Sequence, residues 1–470
     1  MIRTASAFRR DHCGGQALPL ALLLAAAAGV AWVHMAGLGA TAGARNRLTH
    51  TADAVAYSGA VVQARSLNLL ATINRAQMAH QVGMAHIATL AAWAQHGHAQ
   101  AERSGRGNPP AMLIGMLFGP TYGTAYSASR GARSLGELAS ADGGLAQAQA
   151  RHERIVHEVL EQARRAIVTD LPQVRQAAME QVLAANYEEL SRGGLAASGL
   201  DDALPRLDVL GDNLDGFIVN HAASARGSLR GAIESAVAPY DFLKPRNRTV
   251  RNPWPVSKQC PWLRHELRRR GETVFDLSGR WQAHDTLSYH ALRGNRRIGC
   301  YFREYPMGWG RASGVDAPGP DFDFHDDPPE DFSEQDFWRW VQAATDWGLL
   351  DGLDNRLANS YAMRGAARWP ARGLPGFSAL RSTDGEAASL RLSLRLRQEA
   401  RTISVPAPAA QVAVAGRYAY EGLGRDDTVA VHAAAETYFK RPQARVDGRG
   451  ELPSLFHPYW QARLVAEPTR

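Results

Sequence analysis

The sequence predicts an α+β protein: an N-terminal transmembrane helix continuing into a long helical region, then a mainly antiparallel β-containing C-terminal domain. Three observations lead there. From Ala17 to Ala44 the chain carries no Asp, Glu, Lys or Arg. No Pro interrupts it between Leu20 and Asn108. Far downstream, Leu390-Arg391-Leu392-Ser393-Leu394-Arg395-Leu396-Arg397 alternates Leu with polar residues, the pattern of a strand with one buried face.

The uncharged run comes first. At about 1.5 Å per residue it would extend roughly 42 Å as a helix, more than the hydrocarbon core of about 30 Å. Trp32 and His34 mark the exit, since Trp favours the headgroup level. The lipid-buried part is therefore expected at Ala17–Val33, with Met35–Ala44 projecting beyond it. Arg3, Arg9 and Arg10 precede the run with Asp11 as the lone acid, so the positive-inside rule puts the N-terminus in the cytoplasm and the bulk of the chain outside. A cleaved secretory signal has a shorter apolar core of about 7–15 residues. Here the run is longer and passes directly into a helical pattern, so a retained anchor is expected. Residues 1–15 form the basic leader and 16–44 the membrane helix. Cys13 lies in the leader, ahead of the apolar run rather than after it as in a lipoprotein.

Residues 45–240 are expected to be α-helical. Leu48, Ala52, Val55, Gly59, Val62, Ser66, Leu69 and Ile73 recur at steps of three and four, one face of a helix reaching about Ser104. Ala36, Ala40 and Ala44, with Gly39 and Gly43, would permit close helix contact. Asn108-Pro109-Pro110 ends this helix. The apolar stretch Met112–Tyr126, broken by Gly115, Gly119, Pro120 and Gly123, reads as a buried loop or short helical hairpin. Helical patterning returns over about 145–190, with a break expected at Asp170-Leu171-Pro172, and again over about 212–237. A linker follows at 241–255, where Pro245-Arg246-Asn247 and Asn252-Pro253-Trp254-Pro255 crowd turn formers. In the α+β domain at 256–470, strands are expected at Gly279–His290 and Arg297–Tyr305 around a turn at Arg293-Gly294-Asn295. Further strands are expected at Leu390–Arg397, Gln411–Tyr418, Thr428–Phe439 and Tyr459–Val465.

Two stretches carry a family resemblance. Gly14-Gly15-Gln16-Ala17-Leu18-Pro19-Leu20, with Ala52-Asp53-Ala54-Val55-Ala56-Tyr57-Ser58-Gly59-Ala60 downstream, resembles the start of the TadE/TadG-like proteins of Tad-type (Flp) pilus assembly. The likeness covers about the first 80 residues and, more weakly, Leu455–Leu464. It implies a single-pass, pseudopilin-like protein of the bacterial inner membrane with a large periplasmic region, working in pilus assembly or secretion through that machinery. Its implied partners are the inner membrane, other pilus-assembly or pilin-like membrane helices, and envelope components. The implied processing site is Gly15–Gln16, although Leu20 stands where prepilin-type substrates usually carry Glu.

The rest of the sequence narrows the chemistry. Cys260 and Cys300 form an even pair in the part expected to be exported, and an oxidising compartment allows them to bridge; the alternative is two unpaired buried thiols. Net charge is +7, but the basic residues are dispersed and no aromatic-rich nucleic-acid module accompanies them, so no nucleic acid is expected. His152-Glu153-Arg154-Ile155-Val156-His157 has one residue too many for a zinc-protease motif: its histidines would sit about 140° apart around a helix. A solvated helix face is expected there. His80 and His86 fail similarly. The acidic run Asp321–Asp331 lacks the Gly and Glu of a calcium loop and reads as a surface loop. No phosphate-binding Gly-rich loop or nucleophile elbow occurs. Hence no catalytic residue, cofactor or metal is expected. Two other classes stay open: a membrane-tethered periplasmic hydrolase, which needs a cleft of convergent polar groups, and an envelope-polymer-binding module, which needs an exposed Trp cluster rather than buried Trp.

Overall fold

The structure, a computed structural model, describes residues 17–187, 204–223, 228–295, 299–314, 324–325, 361–362, 367–381, 388–399 and 428–466. The helices are α1 (Ala17–Arg106), α2 (Ala111–Phe118), α3 (Pro120–Ala128), α4 (Gly144–Arg154), α5 (Glu161–Asn186) and α6 (Ser228–Val237). The strands are β1 (Arg206–Asp212), β2 (Ile218–His221), β3 (Arg248–Arg251), β4 (Glu266–Phe275), β5 (Trp281–Asn295), β6 (Gly299–Gly314), β7 (Phe324–His325), β8 (Tyr361–Ala362), β9 (Ala367–Trp369), β10 (Phe377–Leu380), β11 (Ser389–Glu399), β12 (Thr428–Phe439) and β13 (Trp460–Val465). The class is α+β, with a long N-terminal helix and antiparallel-rich sheets after it.

Two compact units interleave along the chain. One comprises the described residues of Met1–Leu69, Val168–Ile218 and Leu380–Arg470; the other comprises Leu70–Ile167 and Val219–Ala379. Residues 45–240 are therefore not wholly helical, and 241–255 does not separate the units. Among the described residues of the expected helix at 212–237, only Ser228–Val237 is helical, and β1 precedes it. Strand pairing decides this: β1 lies antiparallel to β11, with Leu207 opposite Leu396 and Asp208 opposite Arg395. Asp208 then takes ion pairs from Arg395 at 3.2 Å and Arg397 at 2.8 Å.

The first unit is built on the alternating strand. Its sheet runs β1-β11-β12-β13, antiparallel throughout. Leu390, Leu392, Leu394 and Leu396 are all fully buried. The last three form one core with Leu48, Ala52, Val55, Ala56 and Ala60 of α1 and Met179, Leu183 and Tyr187 at the end of α5. The Ala52–Ala60 stretch thus serves as a packing face: its small side chains bring the helix close to the leucines. Thr437 donates to the Ala60 carbonyl at 2.9 Å, and Asn68 exchanges two hydrogen bonds with the Trp460 backbone, each 2.9 Å. The expected break at Pro172 does not occur; α5 runs through it. Pro172 faces solvent, where water can serve the carbonyl that its missing N–H leaves unbonded. Meanwhile Leu171, Arg175, Met179 and Leu183 continue the buried side at four-residue steps.

The second unit holds the sheet β3-β4-β5-β6-β9, antiparallel except for the parallel β6–β9 pair. The hairpin is present, but Arg293, Gly294 and Asn295 are the last residues of β5, opposite Tyr301, Cys300 and Gly299. Their register continues the ladder, so these three residues are strand rather than turn. Cys260 and Cys300 are disulfide-bonded, with Cα atoms 6.0 Å apart, and pack with Leu292 and Phe302. Met112–Tyr126 forms the helical hairpin α2–α3, turned at Gly119, whose φ of 109° a side chain would strain. Ile114, Phe118 and Tyr126 seat the hairpin on Leu267, Tyr289 and Met307 of the sheet. Residues 70–106 of α1 belong to this unit: Thr89 meets Thr273 at 2.7 Å, Gln81 accepts from the Trp281 indole at 3.2 Å, and Gln95 accepts from the Arg311 backbone at 2.9 Å. Gln411–Tyr418 and nearly all of Asp321–Asp331 lie outside the described residues.

Candidate functional site: an uncovered apolar helix

The N-terminal part of α1 is apolar on every side and uncovered. Leu18, Leu20, Leu22, Leu23, Leu24, Val30, Trp32, Met35 and Leu38 are between 59% and 72% exposed. At about 100° per residue, positions 18, 20, 22, 23 and 24 point around the whole circumference. A helix that is apolar all round needs an apolar surrounding. This one is long and apolar enough to cross a membrane, by length and composition. Full burial on α1 begins at Leu48, so one continuous helix changes from an uncovered apolar rod to a packed core element between Leu38 and Leu48. Gly39 and Gly43 have no neighbouring atoms within 4 Å of where a side chain would begin. Gly15 and Gln16, the expected processing site, lie outside the described residues.

The expected solvated face at His152–His157 is instead partly buried, with Glu153 and Val156 inside and Arg154 exposed. α4 runs into a π-helical turn at Ile155–Leu160. His152 meets His80 through their Nδ1 atoms at 3.0 Å, an arrangement that needs one Nδ1 protonated to donate and the other bare to accept, so the accepting ring is neutral. Glu153 accepts from the Arg372 backbone at 3.1 Å, and the His157 ring meets the Gly373 carbonyl at 3.2 Å. From α1, Gln77 donates to the Gly376 carbonyl at 3.0 Å and Asn74 to the Ser378 carbonyl at 2.8 Å. The reason is backbone accounting. The stretch 370–376 is irregular, and its buried polar groups must find partners somewhere. Two helices supply them as side chains, and the polarity that suggests solvent is used inside.

The same holds for the other groupings with catalytic residue types. Ser378 is fully buried; its Oγ contacts Asn220 at 2.8 Å and accepts from Arg164 at 3.1 Å. Arg164 in turn makes a fork to Glu161, at 2.7 and 3.1 Å. The one base here, the Glu161 carboxylate, is held by Arg164 and Arg165 rather than by the serine. Across three strands, Glu266, His290 and Glu304 stand in register and all are buried. Arg251 and Arg268 hold the Glu266 carboxylate at 2.8 and 2.7 Å, while His290 lies 3.9 Å from Glu304. Among the described residues no three His, Cys, Asp or Glu are grouped so as to hold a metal. Of the tryptophans, Trp281, Trp309, Trp369 and Trp460 are buried, whereas Trp254 and Trp262 are 67% and 90% exposed. Comparison of the chain with known protein families, with characterised proteins and with solved structures finds no match.

These buried histidines set a pH dependence. Burial, then the charges of Arg246 and Arg311, pushes His284 down to about 3. Burial, with Arg268 and Arg270, holds His290 well below the usual histidine value. A histidine kept neutral in the fold but free to titrate near 6.5 when unfolded stabilises the fold above that pH, and the contribution is lost as pH falls. One unit below, a histidine that stays neutral in the fold costs on the order of 1 kcal/mol. Burial raises Asp285 and Glu272; both act in the opposite direction, returning part of this nearer the carboxylate range. Hydrogen exchange corrected for intrinsic rates should therefore show protection of β4–β6 falling between pH 7.5 and 5.5. In β11–β12 the ionised pairs hold, and protection should stay nearly constant. Equal loss in both sheets would refute the assignment to these histidines.

Proposed function

We propose that the chain is a single-pass, inner-membrane TadE/TadG-like protein of Tad-type pilus assembly, pseudopilin-like, with its N-terminus cytoplasmic and the bulk of the chain periplasmic. The observation that carries the anchoring is the apolar, uncovered helix running unbroken into the packed Ala52–Ala60 face. The pilus assignment rests on the motifs Gly14–Leu20 and Ala52–Ala60, and the orientation on Arg3, Arg9 and Arg10. The Cys260–Cys300 disulfide suits an oxidising compartment. In this reading the helix holds the protein in the membrane and docks with neighbouring pilin-like helices, while the folded units meet pilus or envelope components. No catalysis is assigned. A deletion strain should lose piliation, with adhesion or secretion; normal levels of all three would overturn the proposal.

One observation favours a second reading, an envelope-polymer-binding module. Trp254 and Trp262 are exposed on the segment pinned by Cys260, and exposed aromatic faces suit sugar rings. Replacing both with Ala should abolish pull-down on isolated cell wall in that case, and leave it unchanged if the assembly reading alone holds.

A further inference from the structure

Between α1, the α2–α3 hairpin and the sheet of the second unit lies a cavity of about 230 Å³. Two kinds of residue line it. Ile114, Leu267, Leu287 and Met307 form an apolar wall; His96, Tyr126, Arg248 and Arg269 are the chemically active remainder. Three polar atoms from this second set are buried and make no hydrogen bond among the described residues: Nε2 of His96, the hydroxyl of Tyr126 and Nε of Arg269. Buried polar groups are almost always bonded, so three such atoms on one cavity are informative. Tyr126 itself is only 2% exposed.

The balance of donors and acceptors gives the ligand's character. Arg269 stacks its guanidinium over Trp93 at 5.5 Å, and the exposed Arg248 lies over Tyr122 at 5.8 Å. These aromatic faces steady the cations without neutralising them. No Asp or Glu lines the cavity. Burial raises the Tyr126 hydroxyl, so it stays protonated and can donate. Burial, then the charge of Arg269, pushes His96 down to about 3, so its ring is neutral. Asp285 lies close enough to Arg269 to feel its charge, but its carboxylate is taken by Arg246 at 2.9 and 3.0 Å, so Nε of Arg269 and the Tyr126 hydroxyl are left as donors on the cavity, beside a wall that offers nothing to a second charge.

We propose that this cavity binds a small monocarboxylate with an apolar body, its carboxylate on Arg269 and Tyr126 and its body on the Ile114–Leu267–Leu287–Met307 wall. A multiply charged phosphate would leave that wall unused. A neutral molecule would offer the Arg269 Nε and the Tyr126 hydroxyl only uncharged acceptors, and charge-assisted hydrogen bonds are the stronger ones. His96 closes the polar end with an uncharged ring.

The test uses the full chain in nanodiscs of zwitterionic lipid, with empty nanodiscs as the blank. The probes are 3-phenylpropionate and its neutral amide, followed by ligand-observed NMR and calorimetry. Saturable binding of one acid per chain is expected, with the amide at least about tenfold weaker. Arg269→Met should weaken the acid by about tenfold or more while leaving the amide unchanged, and Arg463→Met, in the other unit, should change neither. Absence of saturable acid binding, or equal affinity for acid and amide, would overturn the proposal. The acid–amide comparison is made on the unaltered chain, so it decides the matter even if a variant fails to fold.

Discussion

Leu23→Arg combined with Val30→Arg should move the protein from the carbonate-resistant membrane pellet into the extractable fraction. Both positions are on the uncovered part of α1, with Val30 61% exposed, so the substitutions remove no contact with the rest of the chain. Their effect must come through the surroundings. A central arginine in a membrane helix costs about 2.5–3.5 kcal/mol, and each lost Leu or Val forfeits a few tenths more. Two together cost about 6–8 kcal/mol, enough to end stable insertion of a single span. Leu23→Phe with Val30→Leu should remain in the pellet. The same helix supplies an internal contrast: Ala52→Arg should leave extraction unchanged and instead unfold the first unit, because Ala52 is fully buried in the core with Leu392, Leu394 and Leu396. If the double-arginine variant still resists extraction, the helix is held by something other than lipid, and the anchoring role falls.

The contrast between those positions shows what the residue pattern discloses. An uncharged run is recognisable because lipid asks only for apolarity. β11 is recognisable because a half-buried strand needs strict alternation, and all four leucines of Leu390–Leu396 are buried as that requires. β12 and β13 also lie where expected. The path of α1 after Gly59 was harder to read. Its apolar spacing suggests Val62, Ser66, Leu69 and Ile73; Ile73 is buried, yet Leu69 is half exposed and the buried line passes also through Gln63, Leu67, Leu70, Asn74, Gln77 and Gln81. Those amides serve strand side chains and the backbone of an irregular segment, a demand set by distant residues such as Thr437, Trp281, Gly376 and Ser378. Local polarity cannot distinguish that use from exposure to water. The His152–His157 face misleads for the same reason. The cavity on Arg269 and Tyr126 gives no signal along the chain, since its lining comes from α1, the α2–α3 hairpin and four strands brought together only by folding.

Gly310→Ala should destabilise the second unit by about 3 kcal/mol or more, the upper range for overpacking, whereas Gly308→Ala should cost about 1 kcal/mol or less. The two glycines flank Trp309 on β6 and both face α1, so sequence alone gives no reason to separate them. Their neighbours do. A methyl on Gly310 would lie 1.9 Å from the Ala92 carbonyl oxygen and 2.6 Å from the His96 nitrogen. Both are helix backbone and can yield only if α1 lifts from the sheet. A methyl on Gly308 would come nearest Gln100 Cβ at 3.0 Å, with His96 Nε2 and the His96 carbonyl oxygen both at 3.1 Å, distances that a shift of a few tenths of an ångström relieves without lifting the helix. Lifting α1 would also stretch the Thr89–Thr273 and Gln95–Arg311 hydrogen bonds on either side of the contact. Protection against hydrogen exchange should therefore fall together in β5, β6 and residues 88–100 of α1 for Gly310→Ala, and in none of them for Gly308→Ala. Equal behaviour of the two variants would mean that the helix does not rest on the sheet through Gly310, and that the amide bonds alone hold α1 in place.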